Sequence, residues 1–175
     1  MIRHATVFLI FAVLAAFAGA QGERPALTAS QQQQLFQKNR GMIQTLVDSS
    51  LKISQSGDYI ERSRSYRKVV MQFQKELDQA AGDTDASRIA ELGKHLDTVL
   101  RQGLAPSLRE ANRSIPAGGT GRDDLIDIRD KTVADVSWLQ NIARNKWADT
   151  PEVRAVIDAL ETAKKEVGAA VPPER

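Results

Sequence analysis

The sequence predicts an all-α protein, an antiparallel bundle of four to five amphipathic helices after an N-terminal signal peptide. Apolar residues recur at intervals of three and four through every long segment, the spacing of a helix with one buried face. Aromatic residues make up only 5% of the chain, with 11 Gly and 6 Pro, whereas sheet-rich proteins favour aromatic and β-branched residues. Most linkers are short, so successive helices should return antiparallel.

Residues 1–20 have the layout of a secretory signal peptide. Arg3 and His4 precede an apolar run from Ala5 to Phe17, and Ala18-Gly19-Ala20 supplies the small residues of a cleavage site. The run is shorter than the roughly 20 apolar residues that a bilayer span needs. The pattern predicts export to the periplasm or the extracellular space, with cleavage after Ala20 and no stable membrane span afterwards.

The mature chain is predicted to form one domain. Residues 21–27 are a short lead, residues 28–168 the helical bundle and residues 169–175 a disordered tail. Cysteine is absent, so stability must come from packing rather than from disulfides. Removing residues 1–20 lowers the formal net charge from +2 to +1, since Arg3 is their one charged residue. A nucleic-acid binder gathers a basic excess on one face, so no nucleic-acid partner is predicted.

Helix-capping residues and apolar stripes predict the first two helices. Thr28 forms a capping box with Gln31 three residues later. The first helix then carries a wide stripe, which we expect to face the core: Leu35, Phe36, Met42, Ile43, Leu46, Val47, Leu51 and Ile53. The second helix opens at Asp58, and its seam contains Tyr59, Tyr66, Val70, Phe73, Leu77 and Ala80.

The third helix contains a proline near its middle. Pro106 removes a helical hydrogen bond and crowds the preceding turn, which predicts a kink or break near Gly103. The apolar residues before that point are Ile89, Leu92, Leu96, Val99 and Leu100. Residues 115–121 follow as the longest linker of the mature chain, and the glycines around Gly118 mark it as the place for a hinge.

The last two helices also begin with recognisable signals. Thr120 and Asp123 form a second capping box, which opens a fourth helix. Thr150 provides a cap before Pro151 at the first position of the fifth helix. The apolar seam of the fifth helix contains Val153, Val156, Ile157, Leu160, Ala163 and Val167.

Residues capable of chemistry are sparse, and the sequence assigns no catalytic, cofactor-binding or metal site. His95 is the one histidine of the mature chain, so the mature chain has few ligands for zinc or for a haem held by histidine. Asp123, Asp127 and Asp130 fall within about 60° of one another on the fourth helix and form a weak acidic cluster. Such a cluster can bind a hard cation, or it can be a solvated face that complements the helix dipole.

Trp138 is the candidate partner contact. It projects some 130° away from the direction shared by Val136 and Leu139 on the fourth helix. An exposed tryptophan can mark a contact surface, although a neighbouring helix or the tail can equally cover it.

Leu27-Thr28-x-x-Gln31 follows the export signal in a small helical chain without cysteine. These residues resemble the LTxxQ motif of bacterial periplasmic stress chaperones, and the match covers five residues. The family consists of helical proteins that pair into cradle-shaped dimers and shield unfolded clients without ATP. The resemblance implies a chaperone role and assigns no role to a particular residue of the mature chain.

The expected function is therefore that of an exported, non-enzymatic bundle that acts by protein–protein interaction or self-assembly. A periplasmic chaperone or stress accessory is one version of it. The alternative is a bundle that binds a small molecule or a metal between its helices near Pro106 and Gly118. An open apolar groove favours the first function, and a closed pocket with converging polar groups favours the second.

Overall fold

The computed structural model describes residues 28–116 and 119–172. In these ranges the chain forms helices and no strand. The elements are α1 (Ala29–Gln55), α2 (Tyr59–Gly82), α3 (Ala86–Thr98), a π-helical segment (Val99–Leu104), α4 (Ala105–Ser114), α5 (Arg122–Trp147) and α6 (Pro151–Ala170). The predicted signal peptide, residues 1–20, and lead, residues 21–27, lie outside the described residues. No helix in the described part of the chain has the length and apolar character that a membrane span requires.

Contacts between the helices show that successive rods alternate in direction. Arg88, near the start of α3, donates to Asn39 in the first half of α1 and lies 3.8 Å from Glu76 near the end of α2. Arg129, in the first half of α5, donates to the carbonyl of Val171 just beyond α6. The α3, π-helical and α4 elements form one continuous rod between α2 and α5. The predicted all-helical bundle is confirmed.

The centre of the bundle is apolar, and α2 packs against α1, α3, the π-helical segment, α4 and α5. The predicted α2 seam is buried from Tyr66 to Ala80, whereas Tyr59 at its start is only partly buried. The largest side chains with almost no exposure include Phe73, Leu92, Leu96, Leu100, Leu104, Leu108 and Leu125. Burial of these side chains supplies the main stabilising free energy, as expected without disulfides.

Asp58 caps its helix as predicted, Thr150 occupies the cap position without a capping hydrogen bond from its side chain, and the prediction at Thr120 is wrong. The carboxylate of Asp58 accepts from the N–H of Ile60 at 2.8 Å and begins α2. Thr150 precedes Pro151 at the start of α6. The box of Thr120 and Asp123 does not cap α5, because Gly121 holds that position with φ of +98°. The positive φ favours glycine here, and a Cβ would lie 2.7 Å from Cδ1 of Ile60, so the Ile60 side chain would have to shift to admit one.

The predicted kink or break near Gly103 is replaced by the π-helical segment. The N–H of Ala105 donates to the carbonyl of Leu100, five residues earlier, and the backbone stays in the right-handed helical region. The wider π turn gives the ring of Pro106 space that an α turn would deny it. The rod therefore passes the proline without ending.

The α1 helix differs most from its predicted packing. Met42 and Ile53 are buried, but Phe36, Val47 and Leu51 are exposed although their stripe was expected to face the core. Among the described residues, α2 is the one helix against which α1 packs extensively. A single neighbouring helix covers only one side of α1, so the second half of the wide stripe stays outside the core.

The predicted tail is also shorter than expected. The α6 helix continues through Ala170, and Val171 is fully buried. The guanidinium groups of Arg129 and Arg122 donate to the carbonyls of Val171 and Pro172, respectively. The first part of the region predicted to be disordered, residues 169–172, is therefore attached to the bundle, and residues 173–175 lie outside the described ranges.

Candidate functional site

Two large apolar side chains are exposed on the helices α2 and α5. Trp138, the predicted partner contact, lies on α5 with 43% of its surface exposed. Met71 lies on α2 with 52% exposed. We name these two residues the α2–α5 patch.

The α2 and α5 helices run parallel and are joined by an ion pair between Arg67 and Asp135. At 100° per residue, Met71 is rotated by +40° from Arg67 and Trp138 by −60° from Asp135. Opposite rotations on two parallel helices turn both side chains toward the same side of the bundle.

Arg64 near the start of α2 pairs with Asp124 near the start of α5. At the other end, Lys146 of α5 donates to the carbonyl of Ala81 of α2 at 3.0 Å. The two helices therefore lie side by side, with start beside start and end beside end.

A partly buried ion pair between Arg67 and Asp135 joins the helices beside the patch. Met71 follows Arg67 by four residues and Trp138 follows Asp135 by three, so each lies about one turn beyond its member of the pair. In the part of the chain that the structure describes, Nε and Nη1 of Arg67 are buried without a hydrogen-bond partner. Removing Asp135 would leave that cation buried and unpaired, at a substantial energetic penalty. The pair therefore fixes the relative positions of α2 and α5 beneath the patch.

Cationic side chains surround Met71 on the outer surface of α2. Lys68 and Lys75 are exposed and lie three residues before and four residues after Met71, on the same side of the helix. Tryptophan and methionine are enriched in protein interfaces, and a polar rim commonly surrounds the apolar centre. The patch has this chemical composition, and it offers contact area rather than a reactive group.

The acidic cluster is solvated, and two of its three members pair with separate basic side chains. Asp123, Asp127 and Asp130 are all exposed. Asp127 pairs with Lys131 at 2.8 Å, and Asp130 accepts from Arg129 at 2.7 Å. The hydrogen bond from Arg129 lowers the pKa of Asp130. The described ranges contain no group of three or more His, Cys, Asp or Glu side chains arranged to hold a metal ion.

His95 lies at the edge of the core rather than in a cleft. Its ring centroid is 6.5 Å from that of Phe73, and the side chain is partly buried. Burial lowers the pKa of His95, and Lys94 lowers it further while Glu91 opposes the shift. His95 therefore favours its neutral form, which suits packing against an aromatic ring.

A small cavity lies between α2, α3, α5 and α6, away from the pocket position predicted near Pro106. It holds about 20 Å³, and its lining includes Leu77, Ile89, Gly93, Trp147 and Val156. That volume is close to what one water molecule requires. Gly118, the other marker of the predicted pocket, lies outside the described residues.

Asp97 lies near the end of α3, where burial disfavours the ionised form of its carboxyl group. Burial raises the pKa of Asp97 above its ordinary value of 3.8, Arg101 opposes the rise, and Glu166 adds to it. The folded protein thus holds this proton more tightly than the unfolded chain. Ionisation of Asp97 therefore destabilises the fold as the pH rises above about 4.

Asp97→Asn should consequently stabilise the protein at pH 7, by up to about 0.5 kcal/mol. The gain over the unchanged protein should shrink as the pH falls toward 4, because protonation of Asp97 then removes the buried charge, and urea unfolding at both pH values measures it. Asp158→Asn, at an exposed position of α6, is the matched control. A variant that is less stable at pH 7 would show that the attraction to Arg101 outweighs burial.

The fold and the patch together define a class of protein: an all-helical bundle with large apolar side chains exposed on the helices α2 and α5. Comparison with known protein families, curated proteins and solved structures finds no match for this chain. Trp138 was predicted from the sequence as a contact residue, whereas Met71 was not. Helical spacing places Met71 opposite the apolar seam of α2, which indicates that it is exposed but not that it lies on the same side as Trp138.

Proposed function

We propose that this chain is an exported, non-enzymatic helical bundle that acts by binding another protein through the α2–α5 patch. The observation that carries the proposal is the exposure of Trp138 and Met71 on the same side of two parallel helices. A partner that covers these exposed apolar side chains would stabilise the complex by roughly 25 cal/mol of free energy for each Å² of apolar surface removed from water.

Export remains part of this proposal on the strength of residues 1–20. The basic start, the apolar run and the small residues at its end support a signal peptide. The absence of cysteine from the chain leaves folding independent of the redox state of the compartment. The periplasm or the extracellular space is therefore the proposed location.

A chaperone or stress accessory is the most specific version of the proposal. The resemblance of Leu27-Thr28-x-x-Gln31 to the LTxxQ motif supports it, and so does methionine in the patch. The methionine side chain is flexible and polarizable, and it adapts to apolar partners of different shapes. A chaperone would retain many unfolded clients, whereas a dedicated partner would be recovered as one stoichiometric protein.

The alternative, a bundle that binds a small molecule or a metal, has less support. Pockets for drug-sized ligands have volumes of about 300 to 1,000 Å³, far above the 20 Å³ of the cavity near Trp147. The acidic side chains of α5 are shared among separate basic partners rather than gathered around one point.

Trp138→Ala tests the proposed function. Truncating a central tryptophan of an interface costs about 2 kcal/mol or more, which is roughly a 30-fold loss of affinity. Because the side chain is exposed, the melting curve should stay nearly unchanged. The measurement is affinity capture with residues 21–175 from the native exported fraction, with quantification of the proteins retained, alongside a thermal melt.

The matched control is Lys165→Ala on α6, because Lys165 is exposed and lies on a different helix. Capture should be equal for this control and the unchanged chain. Equal capture by the Trp138 variant would remove the patch as the binding surface. A collapsed melt would instead make Trp138 a packing residue.

A further inference from the structure

The α1 helix has two apolar faces, of which the described residues of its own chain cover one. Met42 and Ile53 are each only 2% exposed and face the bundle. A second set, which we name the outer face of α1, contains Phe36, Ile43, Val47 and Leu51. At 100° per residue, the outer face spans about 80° and is centred about 130° from the buried face.

The outer face is substantially exposed. Phe36 is 58% exposed, Leu51 52% and Val47 42%, while Ile43 is partly buried. In the described parts of the chain, no helix besides α2 packs extensively on α1. Large side chains aligned in this way form an apolar patch of the kind that marks an interaction site.

Two charged residues lie on the exposed side of α1: at 100° per residue, Arg40 falls within the outer face and Asp48 falls about 100° from its centre. Arg40 and Asp48 are exposed and are separated by eight residues, about 12 Å along the axis, so they cannot pair with each other within α1. Neither residue forms an ion pair with any of the described residues. Gln44 lies midway between them.

We infer that the outer face of α1 is a self-association surface that pairs antiparallel with the same helix of a second copy. A two-fold axis near Gln44 places Arg40 of each copy beside Asp48 of the other, since a two-fold interface is self-complementary. The same register places Phe36 of each copy within about one residue rise of Leu51 of the other. A parallel pair would instead set Arg40 beside Arg40 and Asp48 beside Asp48, which like-charge repulsion disfavours.

The size of the outer face sets the strength of the pairing. From Phe36 to Leu51 the face is about 23 Å long. A single helix seam of that length buries less than the roughly 800 Å² per partner of a standard stable interface. The dimer is therefore weak and reversible, with a dissociation constant in the range of about 10 μM.

Charge reversal at Arg40 and Asp48 provides the test. Sedimentation equilibrium of residues 21–175 should show a monomer–dimer equilibrium. Arg40→Asp and Asp48→Arg should each weaken dimerisation at least about tenfold, because each opposes like charges twice. An equimolar mixture of the two variants should restore association, since every reversed charge then meets its opposite. Lys165→Glu, away from α1, should leave the equilibrium unchanged.

Two results would overturn the inference. A chain that stays monomeric up to about 1 mM has no self-association surface. Single variants that do not associate better when mixed would rule out the antiparallel register. Circular dichroism of each variant checks that α1 remains helical. Because the outer face is separate from the α2–α5 patch, either result leaves the proposed binding through Trp138 standing.

Discussion

Phe73→Ala should lower the free energy of unfolding by about 3 to 5 kcal/mol, the range for removing a buried aromatic ring. Phe73 has no exposed surface and lies in the middle of α2, the helix with the most neighbours in the bundle. Its removal would leave a cavity that α2 cannot close without moving against several helices at once. Urea unfolding followed by circular dichroism gives the change directly.

Phe36→Ala is the matched control for this substitution. The same ring is deleted, but at a position on α1 where most of its surface is in water. Its effect should stay below about 1 kcal/mol. A Phe73 variant that unfolds at the same urea concentration as the unchanged protein would show that Phe73 is not a core residue.

Gly103→Ala should destabilise the protein by about 1 to 3 kcal/mol, the usual result of overpacking. A Cβ on Gly103 would lie 2.3 Å from Cε1 of Tyr66 and would overlap the ring. Tyr66 is itself buried, so its ring has little room to retreat. The substitution would push the π-helical segment away from α2.

Gly41→Ala is the control of opposite sign. Gly41 lies inside α1, and nothing lies within 4 Å of the Cβ that alanine would add. Alanine is favoured over glycine in a helix interior by roughly 0.5 to 1 kcal/mol, so this variant should be more stable. If both alanines stabilised the protein, the close packing of Gly103 on Tyr66 would be contradicted.

Periodicity and capping chemistry predict most of the helices, because both are local properties. Asp58 begins α2 because its carboxylate meets the N–H of Ile60, and the partners are two residues apart. Gly121 was not predicted as the residue that begins α5, because its role is not a local property. Its positive φ and its contact with Ile60 depend on how α2 approaches the start of α5, which the local sequence does not reveal.

The burial of each apolar face could not be predicted so well. The period of α1 correctly places Met42 and Ile53 on one side, but it does not say how many helices surround α1. Phe36 and Leu51 were therefore expected in the core and are exposed. Pro106 likewise predicts that the helix is disturbed locally. That the disturbance takes the form of a π-helical segment depends on the packing of the whole rod.

One of the two residues of the α2–α5 patch was predicted from the sequence. Helical spacing alone separates Trp138 from the buried side of α5, and the structure shows it exposed. Met71 becomes significant only when α2 and α5 are known to run parallel, with Arg67 paired to Asp135. That arrangement depends on residues 68 positions apart, and no short pattern encodes it.

The most direct measurement is site-specific photo-crosslinking in the native exported fraction, with a photoreactive side chain in place of Trp138 or of Met71. Position 165, exposed on α6, is the reference. If the chain acts by protein binding through the α2–α5 patch, positions 138 and 71 should give the same adducts and position 165 should not. Equal labelling from all three positions, or no adduct from the patch, would contradict that function.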